Sequence, residues 1–349
     1  MTRLTQREGG DMAITIRDVA VRAGVSPATA SRALTGTGSV DPATAARVRD
    51  AARELGYERN PWASSLRGGT TRKLAMIVPD LMNPFFAELV RSAQAYAHEL
   101  GYLVLVAETD DDAAAELELL RSMADRVDGS LICTPQTAEA AQGRLVDEGP
   151  AVFLHRMSRL VPYVISDVTL GVRLAVENLV ALGHRRIAYL DGPAESWSAG
   201  LRREAVAVVG AEFPDIDLVT VGQVRARFEG GVAGGDLVIA SGATAVLAYN
   251  DVVALGLLHR LARRGLRVPD DISIVGFDDV PAAAMSSPAL TTVAQPLAES
   301  ARAGVDMLVA LARGEKPAQR AVVLAPTLVV RESTAPPAPQ PAQASRGAA

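Results

Sequence analysis

The chain has 349 residues, nearly half of them apolar, and a formal net charge of −5. Mean hydropathy is only +0.16, and no run reaches the roughly 18 uninterrupted apolar residues of a membrane span. A start without the apolar core of a signal peptide, and a single cysteine (Cys133) in an apolar run, exclude a disulfide framework and predict a reducing, cytoplasmic setting.

Such a length exceeds what one core fills, so two or three compact units are expected. The charge is unevenly spread. From Ile14 to Lys73 ten Lys and Arg stand against five acids, which leaves the remainder at about −10. A small basic head on an acidic body suggests a polyanion partner for the head alone.

The head reads as three short helices. Thr15 is placed to cap the first, with Asp18 completing a capping box, and Ile16, Val19, Ala20 and Ala23 make its apolar face. Gly24 ends it, and Ser26-Pro27 restarts a helix with cap and first-turn residues in order, keeping Ala30 and Leu34 for the core. A third helix opens at Asp41-Pro42, buries Val48, Ala51 or Ala52, and Leu55, and closes at Gly56. Two short helices joined by a Gly-containing turn form the DNA-binding unit whose second helix enters the major groove. Asn60 to Gly69 then offers cap chemistry, with Pro61 suited to a first helical position, but barely two turns of helix. A helix that short is marginal in water, so this stretch should fold only when something else holds it.

From Leu74 the pattern changes to apolar strands alternating with amphipathic helices: strands at 74–79, 103–107, 130–134, 151–154, 186–190, 245–249 and 272–276, with helices after Phe86 and over 170–182. That alternation predicts a doubly wound parallel α/β sheet, long enough here for two such units. From Ala335 the chain is all Ala, Pro, Gln, Ser, Gly and Arg, a composition that predicts disorder.

In open α/β sheets, ligands bind beyond the carboxyl ends of the strands. The rule selects Asp80, Asn83, Phe85, Phe86, His155, Arg156, Ser196, Trp197, Ser198, Arg202, Asn250, Asp251, Asp278 and Asp279. Aromatic faces mixed with carboxylates, amides and an arginine suit a polyhydroxylated ligand. Phe86 reads better as core, Asp251 and Asp279 equally well as helix caps, His155 equally well as a surface residue, and Asp110-Asp111-Asp112 as a solvated loop.

Enzyme readings fare poorly. Gly230 to Gly235 reads without the strand-to-helix context of a dinucleotide fingerprint, and no Walker sequence or Gly-x-Ser-x-Gly elbow is present. The histidines at 98, 155, 184 and 259 have no metal-ligand spacing. No catalytic residue, metal or cofactor is expected.

The run from Thr15 to Ala20 and from Ala23 to Leu34, Leu55-Gly56-Tyr57, and Asn60 to Leu66 together resemble the LacI/GalR family of bacterial transcription regulators. The resemblance extends in register from about Ile14 to Thr334, with Ala30 where a Val is usual and Pro61-Trp62 less usual in the hinge. It implies an N-terminal extension over 1–13, expected to be disordered, a helix-turn-helix domain over 14–59, a hinge over 60–71, and an effector-binding and dimerisation domain over 72–334. The last would comprise two Rossmann-like subdomains of periplasmic-binding-protein type, crossed near Ser166, Thr291 and Val323, followed by a disordered tail over 335–349.

At DNA the expected residues are Thr15, Ser26, Pro27, Ala28, Thr29, Ser31 and Arg32, with Asn60, Ala63 and Leu66 of the hinge, Leu66 as a wedge between base pairs. At the effector they are Asp80, Asn83, Phe85, Arg156, Ser196, Trp197, Ser198, Arg202, Asn250 and Asp278. The expected protein is a homodimeric repressor of a sugar-utilisation operon that binds a pseudo-palindromic operator under effector control, without a membrane partner. The competing readings are a sugar-binding protein of an uptake system, which has the same body fold but needs export, and a nicotinamide-dependent enzyme, which rests on fold analogy alone.

Overall fold

The computed structural model describes residues 14–35, 39–57 and 70–338. Expectations for residues 1–13, for hinge positions Asn60, Ala63 and Leu66, and for the tail beyond 338 fall outside them. Contacts divide the chain into two compact units, one ending at Thr71 and one starting at Arg72.

In the head, α1 (Ile16–Ala23), α2 (Pro27–Thr35) and α3 (Pro42–Glu54) enclose a small core of Val19, Ala20, Ala23, Ala30, Val48, Ala51 and Ala52. Local chemistry sets each helix end. The Thr15 backbone N–H and hydroxyl both donate to the Asp18 carboxylate, at 2.8 and 2.7 Å. Gly24 takes φ 66°, a left-handed conformation that glycine adopts without steric cost. Ser26 Oγ accepts from Thr29 N at 3.1 Å, and Asp41 from Thr44 N at 2.9 Å. Both Ala51 and Ala52 are buried, while Leu55 and Leu34 lie at the edge of the core.

The body holds two six-stranded sheets. The strands of the first lobe are β1 (Lys73–Val78), β2 (Leu103–Glu108), β3 (Ser130–Cys133), β4 (Ala151–Leu154), β5 (Tyr163–Ser166) and β11 (Ala321–Leu324). They lie in the order β11-β5-β4-β3-β1-β2 and are parallel throughout. Those of the second lobe are β6 (Arg186–Asp191), β7 (Asp217–Gln223), β8 (Ala245–Ala248), β9 (Ser273–Asp278), β10 (Thr291–Ala294) and β12 (Thr327–Val329). Their order is β12-β10-β9-β8-β6-β7, with only β12 antiparallel to its neighbour β10. Central strands β1, β3, β4, β8 and β9 are almost wholly buried, which explains their continuous apolar runs.

The chain passes between the sheets after Ser166, after Ala294 and after Leu324. The helix Leu297–Ala312 therefore follows a strand of the second sheet but packs on the core of the first. Beyond Thr334 the backbone is still held: Ala335 N donates to Ser273 Oγ, and the Ala335 carbonyl lies 2.9 Å from His184 Nε2. Free tail thus does not begin at Ala335, because its polar backbone finds partners at the second sheet.

The Gly230–Gly235 segment also departs from its reading. It lies in a helix, Phe228–Ser241, that follows β7 directly. Its glycines serve close packing: a Cβ on Gly231 would lie 2.0 Å from the Val253 carbonyl oxygen, and one on Gly256 would lie 2.0 Å from that of Phe228. Among the described residues no helix is long and apolar enough to cross a membrane.

Candidate nucleic-acid face and ligand cleft

On the head, burial of Ala30 against α1 and α3 fixes which side of α2 faces out. Ser26, Pro27, Ala28 and Arg32 are exposed, Thr29 and Ser31 are half-buried, and Thr15 is exposed at the start of α1. The Ser26 and Thr29 hydroxyls lie 2.9 Å apart, and Arg32 Nε reaches back to the Ala28 carbonyl at 3.3 Å. Arg17, Arg22, Arg47 and Arg49 are exposed elsewhere on the head, Arg22 being paired with Glu54.

In the body, the carboxyl ends of strands from both sheets surround a cavity of about 660 Å³. Its wall includes Asp80, Asn83, Phe85, Phe86, His155, Ser196, Trp197, Ser198, Arg202, Asn250 and Asp278. Arg156 is not in this wall. It is buried, donates to the Pro135 carbonyl, and holds its guanidinium 5.4 Å from the Trp197 ring.

Three of these residues start helices. Asn83 Oδ1 accepts from Phe85 N at 3.1 Å, Ser196 Oγ from Ala199 N at 3.4 Å, and Asn250 Oδ1 from Val253 N at 2.9 Å. Phe85 packs edge-on against both Phe86 and His155. Phe86 belongs to the core and to the cavity wall at once. His155 is buried rather than surface, and burial together with the charge of Arg202 lowers its pKa to about 4.

Arg202 stacks 3.7 Å from the centre of the Phe277 ring and donates to the Tyr249 carbonyl. Asp278, at the end of β9 with φ 123°, accepts from Gln295 Nε2 at 2.7 Å. Burial pushes its carboxyl up to about 7, against the pull of Arg202. Asp251 and Asp279 do other work than the caps expected of them. Asp251 takes Thr292 Oγ1 and Val280 N, and burial raises it to about 6, while Asp279 pairs with Arg331 at 2.6 Å. Among the described residues, His155 Nε2, Ser166 Oγ and Arg202 Nε are buried without a hydrogen-bond partner, and all three residues line the cavity.

Residues 15–60 match the family described as bacterial regulatory proteins, lacI family, and residues 176–334 match the periplasmic binding protein-like domain. The HTH-type transcriptional regulator DegA of Bacillus subtilis is 35% identical over 338 residues, covering 93% of this chain and 99% of that protein. The ribose operon repressor of the same species is 30% identical over 321 residues, covering 92% and 98%. The chain belongs to the lacI family. A crystal structure of the Lac repressor dimer, bound to operator and the anti-inducer ONPF, is similar with a TM-score of 0.82 at 30% identity, covering 92% of this chain and 99% of that one. This lacI-family chain is a ligand-responsive DNA-binding transcriptional regulator, like relatives that are regulators and not enzymes.

Sequence reasoning missed several wall residues. Asp110 and Asp111, read as solvated loop, line the cavity, and Asp112 caps the helix Ala113–Met123 through Ala114 N. Thr134, Gln136, Ser166, Arg225, Arg227 and Gln295 line it as well. Each follows or ends a strand, so the carboxyl-end rule would have found them had it been applied to every strand.

Proposed function

We propose that this regulator represses a sugar-utilisation operon, binding a pseudo-palindromic operator as a homodimer and responding to a polyhydroxylated effector in the body's cleft. On DNA, the exposed arginines of the head supply phosphate contacts, and Pro27, Ala28, Thr29 and Arg32 discriminate bases, with Thr15, Ser26 and Ser31 beside them. Asn60, Ala63 and Leu66 act in the hinge, where an apolar wedge partly unstacks a base step at a cost of about a few kcal/mol. That cost is offset only when the two short hinge helices form and pack against each other, at a subunit spacing that the body sets by opening or closing around its ligand. The effector shifts operator affinity by its differential affinity for the two states and no more.

One observation carries the ligand reading. Buried polar atoms without partners cost about 1–3 kcal/mol each, and His155 Nε2 and Ser166 Oγ from the first lobe and Arg202 Nε from the second line one cavity together with Asp278 and the Trp197 and Phe85 rings. A sugar brings hydroxyls that both donate and accept, and apolar ring faces for the aromatics. The Bacillus relative named for the ribose operon and the operator-bound Lac repressor dimer support the same assignment.

Thermal-shift measurements on the full chain test it, with D-ribose and a panel of pentoses, hexoses and disaccharides set against nucleobases. A ligand at 100 times its dissociation constant should stabilise the body by about 2.7 kcal/mol. Stabilisation by nucleobases and by no sugar would replace the sugar assignment. Selection of DNA from a random pool should return an inverted repeat, and an asymmetric site would refute the homodimeric mode.

A further inference from the structure

Among the body's ion pairs in the described residues, those that cross from one lobe to the other belong to Arg227. Arg227 stands at the start of the helix Phe228–Ser241, in extended backbone and without a capping bond from its side chain. It lines the cavity with a half-exposed side chain. Its Nε donates to Asp80 Oδ2 at 3.1 Å and its Nη2 to Asp110 Oδ1 at 2.7 Å.

The two acceptors come from neighbouring strands of the first lobe, since β1 and β2 pair in parallel up to Val78 and Glu108. Both are held in place. The second oxygen of Asp80 accepts from Met82 N at 2.8 Å. Asp110 and Asp111 sit consecutively in the left-handed region, at φ 51° and 63°. A non-glycine residue there costs free energy and persists only where its surroundings hold it. Without Arg227, Asp80, Asp110 and Asp111 would face one another as like charges. Asp111 already registers this: burial, then the charge of Asp80, raises its pKa, while Arg227 opposes the rise. The two branches differ in shielding, because the Asp80 side chain is 11% exposed and that of Asp110 80%. Salt should therefore weaken the Asp110 branch first.

We infer that Arg227 is a positioning residue for the effector response, an ionic clasp that holds the two lobes closed over the cavity through Asp80 and Asp110. The clasp acts on the open–closed equilibrium, so every ligand of the cleft binds in proportion to the closed population that Arg227 maintains. The consequence for signalling rests on the ligand-cleft function proposed above, but closure itself needs no ligand and is tested without one.

The test uses the full chain carrying Arg144→Cys and Arg263→Cys, exposed positions on the first and second lobes. Nitroxide labels there report the lobe-to-lobe distance by pulsed electron resonance, and the native Cys133 is buried with its thiol pKa raised, which keeps it unlabelled. Without ligand at low salt, the parent should give a short, narrow distribution that lengthens as salt is added. Arg227→Met should give the longer distribution at all salt concentrations, and Arg227→Lys should move it back toward the parent. An Arg227→Met distribution that matches the parent, or follows the same salt response, would overturn the clasp. Should Arg227→Met fail to fold, Asp110→Asn serves instead: lengthening at low salt supports the clasp, and an unchanged distribution refutes it. A sugar panel that stabilises nothing would remove the sugar assignment and leave this result standing.

Discussion

Replacing Asp278 with Asn should change how the body's stability depends on pH. The carboxyl is buried, and burial raises its pKa from an ordinary 3.8 to about 7. A raised pKa means that the folded state holds the proton more tightly than the unfolded chain does. The resulting stability is fully present below 3.8 and is lost as pH rises through about 7. A difference that large corresponds to about 4 kcal/mol, an upper figure because relaxation and the nearby guanidinium reduce it. Two other buried groups near Asp278 titrate in this window: His155, lowered to about 4, gives a slope of opposite sign up to its ordinary 6.5, and Asp251, raised to about 6, gives one of the same sign, and the substitution leaves both in place. Asn keeps an acceptor for Gln295 Nε2 and tolerates a positive φ better than most residues. Urea unfolding of the body should show the Asn variant close to the parent below about pH 4 and more stable by about 2–4 kcal/mol at about pH 8. An unchanged pH slope would mean that Asp278 is ionised throughout and that burial does not control it. The same group predicts proton release on ligand binding near neutral pH, since a hydroxyl donating to the carboxylate favours its charged form, and the Asn variant should lose that release.

Three further outcomes are expected. Gly231→Ala should destabilise the body by about 1–2 kcal/mol, an overpacking cost of about 1–3 offset by up to about 1 of helix propensity. Gly200→Ala, whose added Cβ meets nothing within 4 Å, should stabilise it, so equal melting temperatures for the two variants would refute the close-packing account of the glycine-rich helix. Arg32→Ala should weaken specific operator binding by about 1–3 kcal/mol if the side chain contacts a base bidentately. If it reaches only phosphate, binding to all sequences weakens alike and the salt slope falls by about one, and unchanged affinity for operator and random DNA would reject both roles. Arg202→Ala should cost a sugar ligand roughly 1.5–3 kcal/mol of affinity; unchanged affinity by calorimetry, with folding intact, removes Arg202 from the recognition set.

The head was legible from its sequence because its signals are local. Thr15-Asp18, Gly24, Ser26-Pro27 and Asp41-Pro42 state the helix ends within four residues of where they act. Most of the buried strands were legible too, as apolar runs, but the short interior strands β5 and β10 were not read although both are largely buried. Of the edge strands, β2 was read and β7, β11 and β12 were not. β7 is half-exposed and irregular in pattern, so it gives no continuous run to read, whereas β11 is an apolar run of only four residues, half-exposed, that was not read as a strand. With β7 unseen, Arg225 and Arg227 had no strand end to belong to, and the glycine-rich segment had no strand before it to give it context. Arg227 also finds Asp80 across 147 positions of sequence, a pairing that follows from the chain crossing after Ser166 and from no local pattern.

A second failure is chemical. Asn83, Ser196 and Asn250 were selected as ligand partners because they lie beyond strand ends, yet the same residue types in the same places are what helix starts require. The structure makes them both: they line the cavity, and their side-chain oxygens accept from Phe85, Ala199 and Val253 N–H groups. With those oxygens engaged, Asn83 and Asn250 would meet a ligand of the proposed site chiefly as amide donors, alongside the unpartnered Nε of Arg202. The accepting side then falls to carboxylates, and Asp80 is already held by Arg227 and Met82 N. Under the proposed assignment, Asp278, which accepts from Gln295, would share the accepting role with Asp111, another carboxylate of the wall. The proposed recognition would therefore draw its donors and acceptors from different residues, and removing a ligand hydroxyl that faces Asp278 should reduce affinity more than removing one that faces Asn83.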